Sequence, residues 1–196
     1  MRRIPLTVDA LKEMLREILG DALEAAPEIG EREGKLVLHW HLLDEGYPSR
    51  LEIDPEHDRT LCPLLVFRNF LSLEQSPERP LSEVRHSELC VGINELNHLM
   101  EDGHFYYDSH HQPPTVVLVV LIVCADGTVT ESIVRDYLYR ALLLGARFVP
   151  QLSALAQGRI SVDEFNQFVH DHESLFREVV EERVRQLMER QRIVIA

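Results

Sequence analysis

Lysine is nearly missing from this chain. Of 20 cationic residues among 196, only Lys12 and Lys35 are lysine, and 33 acidic residues leave a formal net charge of −13. An acidic excess of this size argues against the basic face by which a DNA or RNA reader grips phosphates, and against docking on anionic membranes. It favours solubility and attracts basic partners. The dominance of Arg over Lys reads first as genomic base composition, and only weakly as a demand for bidentate contacts.

Cysteine is scarce as well. Cys62, Cys90 and Cys124 stand apart in apolar settings with no CxxC spacing, which supports neither a disulfide framework nor a zinc site. They are expected as small buried hydrophobes in a reducing cytosol. No apolar run is long: residues 116–125 make about half of the ~20 needed to cross a bilayer. The opening Met1-Arg2-Arg3-Ile4-Pro5 leads into an acidic amphipathic helix and not into an apolar signal core. A cytoplasmic protein with no membrane contact is expected. Reaction signatures are missing too. There is no GxSxG elbow, catalytic-cysteine motif, HExxH, Walker loop or dinucleotide glycine loop. No catalytic residue, no metal and no cofactor is assigned.

What is present is a 45% hydrophobic content, ample for a core, arranged in two periodicities. Thr7 can cap a first helix whose apolar face is Leu11, Leu15, Ile18 and Ala22. Pro27, Gly30 and Gly34 end it. Residues 35–43 alternate, with Leu36, Leu38, Trp40 and Leu42 on one face of a strand. Shorter strands are expected at 50–54 and 61–70, with Pro63 weakening the start of the latter or marking it as an edge. A helix over 84–100 carries the stripe Leu89, Ile93, Leu96, Met100 and stops at Gly103. Phe105 and Tyr107 share a face of a fourth strand. Residues 116–123 are apolar on both faces, which predicts a central strand covered on both sides. Thr128 and Glu131 are spaced as a capping box for a third helix, with Ile133, Tyr137, Ala141 and Leu144 inward, stopping before Pro150. Ser161 and Glu164 form a second box, opening a helix of about thirty residues. It would reach roughly 45 Å, and could cross the domain or meet a second chain.

The expected fold is α+β: a twisted antiparallel sheet with helices packed on it in the order helix, three strands, helix, two strands, helix, plus a long C-terminal helical extension. The expected division is a domain over 1–157 and the extension over 158–196. The segments Ile93-Asn94-Glu95-Leu96-Asn97, Gly103-His104-Phe105 and Ala146-Arg147-Phe148-Val149-Pro150-Gln151-Leu152 resemble the YbjN-like family within the type III secretion chaperone-like fold. The resemblance covers about residues 7–155. The long helix after Ser161 and the unusually apolar 116–123 strand depart from the family pattern. The resemblance implies a small, acidic, dimeric, non-enzymatic module that binds segments of other proteins along sheet and helix surfaces.

Candidate contact residues follow from the second and last helices. Asn94 and Asn97 lie three apart on a helix, where Asn is a poor former. Their amides either meet a partner or bond a neighbouring strand or loop, the second being the commoner use. Phe176, Val180 and Arg183 belong to the apolar stripe and mixed charge of the last helix, which reads as a solvated helix or as a charge-registered interface. The histidine pairs His39/His41, His110/His111 and His170/His172 have no fixed spacing to one another, so a metal site is the lesser reading. The expected function is non-catalytic protein binding, chaperone- or adaptor-like, by a homodimer whose partner is another protein, basic or nucleic-acid-associated. The alternatives are a sensory module for a small ligand and, more remotely, a metal-dependent hydrolase.

Overall fold

Strand alternation in 35–42 sets the frame on which the other elements pack. The computed structural model describes residues 2–22, 28–42, 48–57, 63–73, 81–100, 103–111, 115–124, 126–173 and 193–195. Along them run β1 (Arg3–Pro5), α1 (Val8–Ala22), β2 (Gly30–Arg32), β3 (Lys35–Leu42), β4 (Pro48–His57), β5 (Pro63–Ser72), α2 (Glu83–Leu99), β6 (His104–Asp108), β7 (Thr115–Val123), β8 (Thr128–Thr130), α3 (Glu131–Gln157), α4 (Val162–Asp171) and β9 (Ile193–Ile195). The fold is α+β. The main sheet has the order β2-β3-β4-β5-β7-β6, all antiparallel, with β9 also pairing β3; β1 and β8 form a small separate ribbon.

One face of the sheet holds the core. Leu36, Leu38 and Trp40 of β3, Leu51 and Ile53 of β4, Leu65 and Phe67 of β5, and Leu118 and Val120 of β7 are buried in one cluster with the inward faces of the helices. The α1 stripe Leu11, Leu15 and Ile18 and the α2 stripe Leu89, Ile93 and Leu96 join it, as their spacing predicts. Thr7 does cap α1, accepting from the Ala10 N–H at 3.4 Å. A polar network crosses this core. The Trp40 indole Nε1–H donates to Asn69 Oδ1 at 2.9 Å, and Asn69 Nδ2 donates to the Ala141 carbonyl of α3 at 2.8 Å. Asn69 is wholly buried, and both ends of its amide are used.

Several expectations are corrected. Thr128 and Glu131 do not form a capping box. Residues 128–130 instead pair with β1, Asp126 holds the Thr128 N–H at 3.1 Å and its hydroxyl at 2.8 Å, and the N-cap of α3 is Thr130, further along the chain than Thr128. The helix then passes through Pro150 to Gln157. Proline removes one backbone donor, but Phe148, Val149, Leu152 and Leu155 around it are buried, and that packing outweighs the lost bond. Pro63 begins β5, an interior strand between β4 and β7. Its carbonyl accepts from Cys124, and a first-position proline costs the ladder nothing. The helix opened by Ser161 is short. Ser161 and Glu164 do make the predicted capping box, but α4 ends at Asp171 with His172 as its C-cap, so the helix of about thirty residues is not continuous. Phe165 and Val169 of α4 are buried in the same core as the strands.

Strand β7 is interior and buried on both faces from Thr115 to Val120, as expected, and opens to solvent only at its C-terminal end. On its second face Leu121 is 49% exposed and Val123 66%. Short strands β1, β2, β8 and β9 carry too few residues to show a period, and sequence pattern does not reveal them. The β2–β3 hairpin turns at Glu33 (φ 54°) and Gly34 (φ 77°), a two-residue turn with both φ positive.

Candidate functional site

The second face of the sheet is built by cross-strand rows. One row runs His39, Arg50, Phe70, Val117, Tyr106; the next runs Val37, Glu52, Arg68, Val119, His104. Beyond them lie Lys35 and Asp54, then the pairs Val66 with Leu121 and Leu64 with Val123. Val66, Val117 and Val119 form a small cluster of their own, packed by Leu64 and Phe70, and no described helix contributes to it. An antiparallel sheet commonly leaves one face to water, but that face is normally polar. Here half of it is apolar. Three of the five large hydrophobic residues exposed among the described residues, Tyr106, Leu121 and Val123, sit on it.

The other half of this face is charged and self-neutralising. Asp54 Oδ2 lies 3.3 Å from Lys35 Nζ and 3.0 Å from Arg68 Nη1; Arg50 Nε lies 3.1 Å from Glu52 Oε1. The Arg50 guanidinium stacks 4.3 Å from the Phe70 ring centre, and His111 from the β6–β7 connection stacks on the same ring at 5.4 Å. His111 Nδ1 lies 3.7 Å from Asp108. Lys35, Arg50 and Arg68 thus face Glu52, Asp54 and Asp108, so the face is formally balanced within a chain of net charge −13. Burial, and then Asp108, push the Tyr106 hydroxyl above its usual value, while Arg68 pulls the other way. Tyr106 is therefore a neutral aromatic donor at physiological pH, suited to an interface and not to proton abstraction.

The sequence-predicted contact residues divide. Asn94 is exposed on the outward face of α2, the side that also carries Val84 and Val91. Asn97 turns the other way: Phe105 N–H donates to its Oδ1 at 2.6 Å, and its Nδ2 donates to Phe105 O at 2.9 Å, so the amide pins α2 to β6. Phe176, Val180 and Arg183 lie outside the described residues. The histidines are dispersed. His170 Nε2 meets Glu95 at 3.0 Å, and His172 donates from Nδ1 to Phe168 O at 2.7 Å while its Nε2 meets Arg147. Burial lowers the Arg147 pKa. Among the described residues no three His, Cys, Asp or Glu side chains converge as a metal-ligand set. Cys90 and Cys124 are free thiols, and burial raises the Cys124 pKa; Cys62 lies outside the described residues. No helix among the described residues is long and apolar enough to cross a membrane.

A depression of about 210 Å³ beside β2 is lined by Arg32, Val37, His39, Arg50 and Glu52 among others. It is smaller than the ~300–1,000 Å³ usual for a ligand site. Sequence reading missed the exposed end of the second sheet face. The apolar second-face positions of 116–123 predict burial, which Val117 and Val119 have and Leu121 and Val123 do not. No family model matches the chain, and neither a curated protein nor a solved structure matches it.

Proposed function

We propose that this chain is a non-catalytic protein-binding module, chaperone- or adaptor-like, that takes its partner on the face of the sheet that no described helix covers. The observation that carries the reading is the exposed pair Leu121 and Val123 beside the cluster Val66, Val117, Val119. The valines are already buried; the exposed Leu121 and Val123 that extend their cluster, rimmed by paired charges, are what a partner surface would desolvate. The resemblance to the YbjN-like family points the same way and implies a homodimer. Net charge −13 favours a basic partner, including a nucleic-acid-associated protein, because it raises the encounter rate; the neutral apolar face then makes the lasting contact.

The test is affinity capture from lysate with the wild-type chain and with Leu121→Glu/Val123→Glu, at low and high salt. Both side chains are exposed, so the fold should lose no more than about 0.5 kcal/mol for each substitution. The expected result is a basic protein captured by the wild type, lost with the double variant and weakened by salt. Equal capture by both chains would remove the sheet face from the reading. A catalytic turnover abolished by replacing one histidine or carboxylate would remove the reading itself.

A further inference from the structure

The β6 edge carries a device that the binding reading does not need. β6 is the terminal strand of the sheet, and among the described residues β7 is its one strand neighbour. The N–H and C=O of a strand residue point to the same side. Both groups of Phe105 bond Asn97, so they face away from β7, and the Phe105–Leu118 pair is one of the non-hydrogen-bonded pairs of the ladder. The Asn97 carboxamide therefore stands where the peptide group of an added strand would stand, offering an acceptor and a donor in the same arrangement.

That edge would otherwise invite association. His104-Phe105-Tyr106-Tyr107-Asp108 is aromatic, β-prone and free of lysine and proline, the residues that commonly blunt an open edge. At the far side of the sheet, β2 is three residues long with Glu31 and Arg32 in it, a short and charged edge. β6 is longer, and its one carboxylate, Asp108, stands at its end. It is also self-complementary. Antiparallel pairing of two copies centred on Tyr106 would set Phe105 of each opposite Tyr107 of the other, joining the outward-facing groups of both residues. We infer that Asn97 is a surrogate strand that closes the β6 edge against a second copy of this chain. A homodimer formed elsewhere on the surface is compatible with it, and would be kept from growing through this edge.

The experiment compares solution mass against concentration for the wild type, Asn97→Ala and Asn97→Ala/Tyr107→Pro. Backbone hydrogen exchange at Phe105 is followed alongside. Asn97→Ala should retain its far-ultraviolet circular dichroism and exchange its Phe105 amide faster when dilute. Its mass should rise to twice the wild-type value as concentration increases, and the Phe105 amide should then regain protection. Tyr107→Pro removes an outward N–H that self-pairing needs, so the double variant should return to wild-type mass. A folded Asn97→Ala with wild-type mass at every concentration overturns the inference, as does association that Tyr107→Pro leaves untouched. Should Asn97→Ala fail to fold, Asn97→Ser, which keeps one short acceptor, is read in the same way: association reversed by Tyr107→Pro supports the inference, and wild-type mass ends it.

Discussion

Gly103→Ala should destabilise the protein by about 3 kcal/mol or more, the largest loss expected from adding one methyl group. Two costs combine. Gly103 has φ +94°, where an L side chain is strained by about 1–3 kcal/mol. A Cβ at this position would also fall 2.2 Å from the Val119 backbone oxygen, and a carbonyl held in the β6–β7 ladder cannot swing aside as a flexible side chain could. Overpacking of that kind costs about 1–3 kcal/mol more. The chain must therefore bend or shift where it enters β6. Urea unfolding and thermal melting both read the effect; for a chain of this size, Tm should fall by roughly 2–4 °C for each kcal/mol. An unchanged midpoint would show that the strand entry has room the structure does not contain. Because the same bend places Phe105 against Asn97, Phe105 amide exchange should accelerate in this variant too.

The second large effect lies at the Trp40–Asn69 bond. Asn69→Leu keeps the size and removes the acceptor, leaving the indole N–H buried without a partner; about 2–4 kcal/mol should be lost. Trp40→Phe strands Asn69 Oδ1 instead and opens space, with a loss of similar size. In the double variant neither orphan exists. The two losses should therefore not add, and the shortfall should be about 0.5–3 kcal/mol. Strict additivity in urea unfolding would mean that the bond carries no shared energy. The site has no slack for compensation: a Cβ on Gly145 would lie 2.7 Å from Asn69 Nδ2 and 2.8 Å from Trp40 Cζ2, so α3 rests directly on both side chains.

The motifs that carried the family resemblance fall on positions that hold the fold together. Asn97 clamps β6, Gly103 admits the chain to it, and Arg147 lies over Phe168 at 5.1 Å and meets His172. The proposed binding residues lie elsewhere, on Tyr106, Leu121 and Val123. Asn97 was legible as an oddity, since Asn disfavours helices, but not in its orientation. A spacing of three places it near Asn94 on the helix surface, and only the neighbouring strand turns one amide inward while leaving the other in water. The exposed end of the second sheet face was harder to read. A strand apolar on both sides has the same composition whether its second face is covered by a helix or left for a partner.

Periodicity within single segments settled the α+β class, the strands β3 and β7, the inward stripes of α1 and α2 and the Ser161–Glu164 cap, because each depends on contacts a few residues apart. Tertiary packing decided the rest. It carried α3 through Pro150, kept residues 128–130 as a ribbon with β1, ended α4 at Asp171, aimed Asn97 at Phe105 and left Leu121 and Val123 uncovered. Each of these outcomes weighs a local preference of about 1–3 kcal/mol against burial and hydrogen bonding supplied by residues distant in the chain, and no short window of sequence contains both sides of that balance.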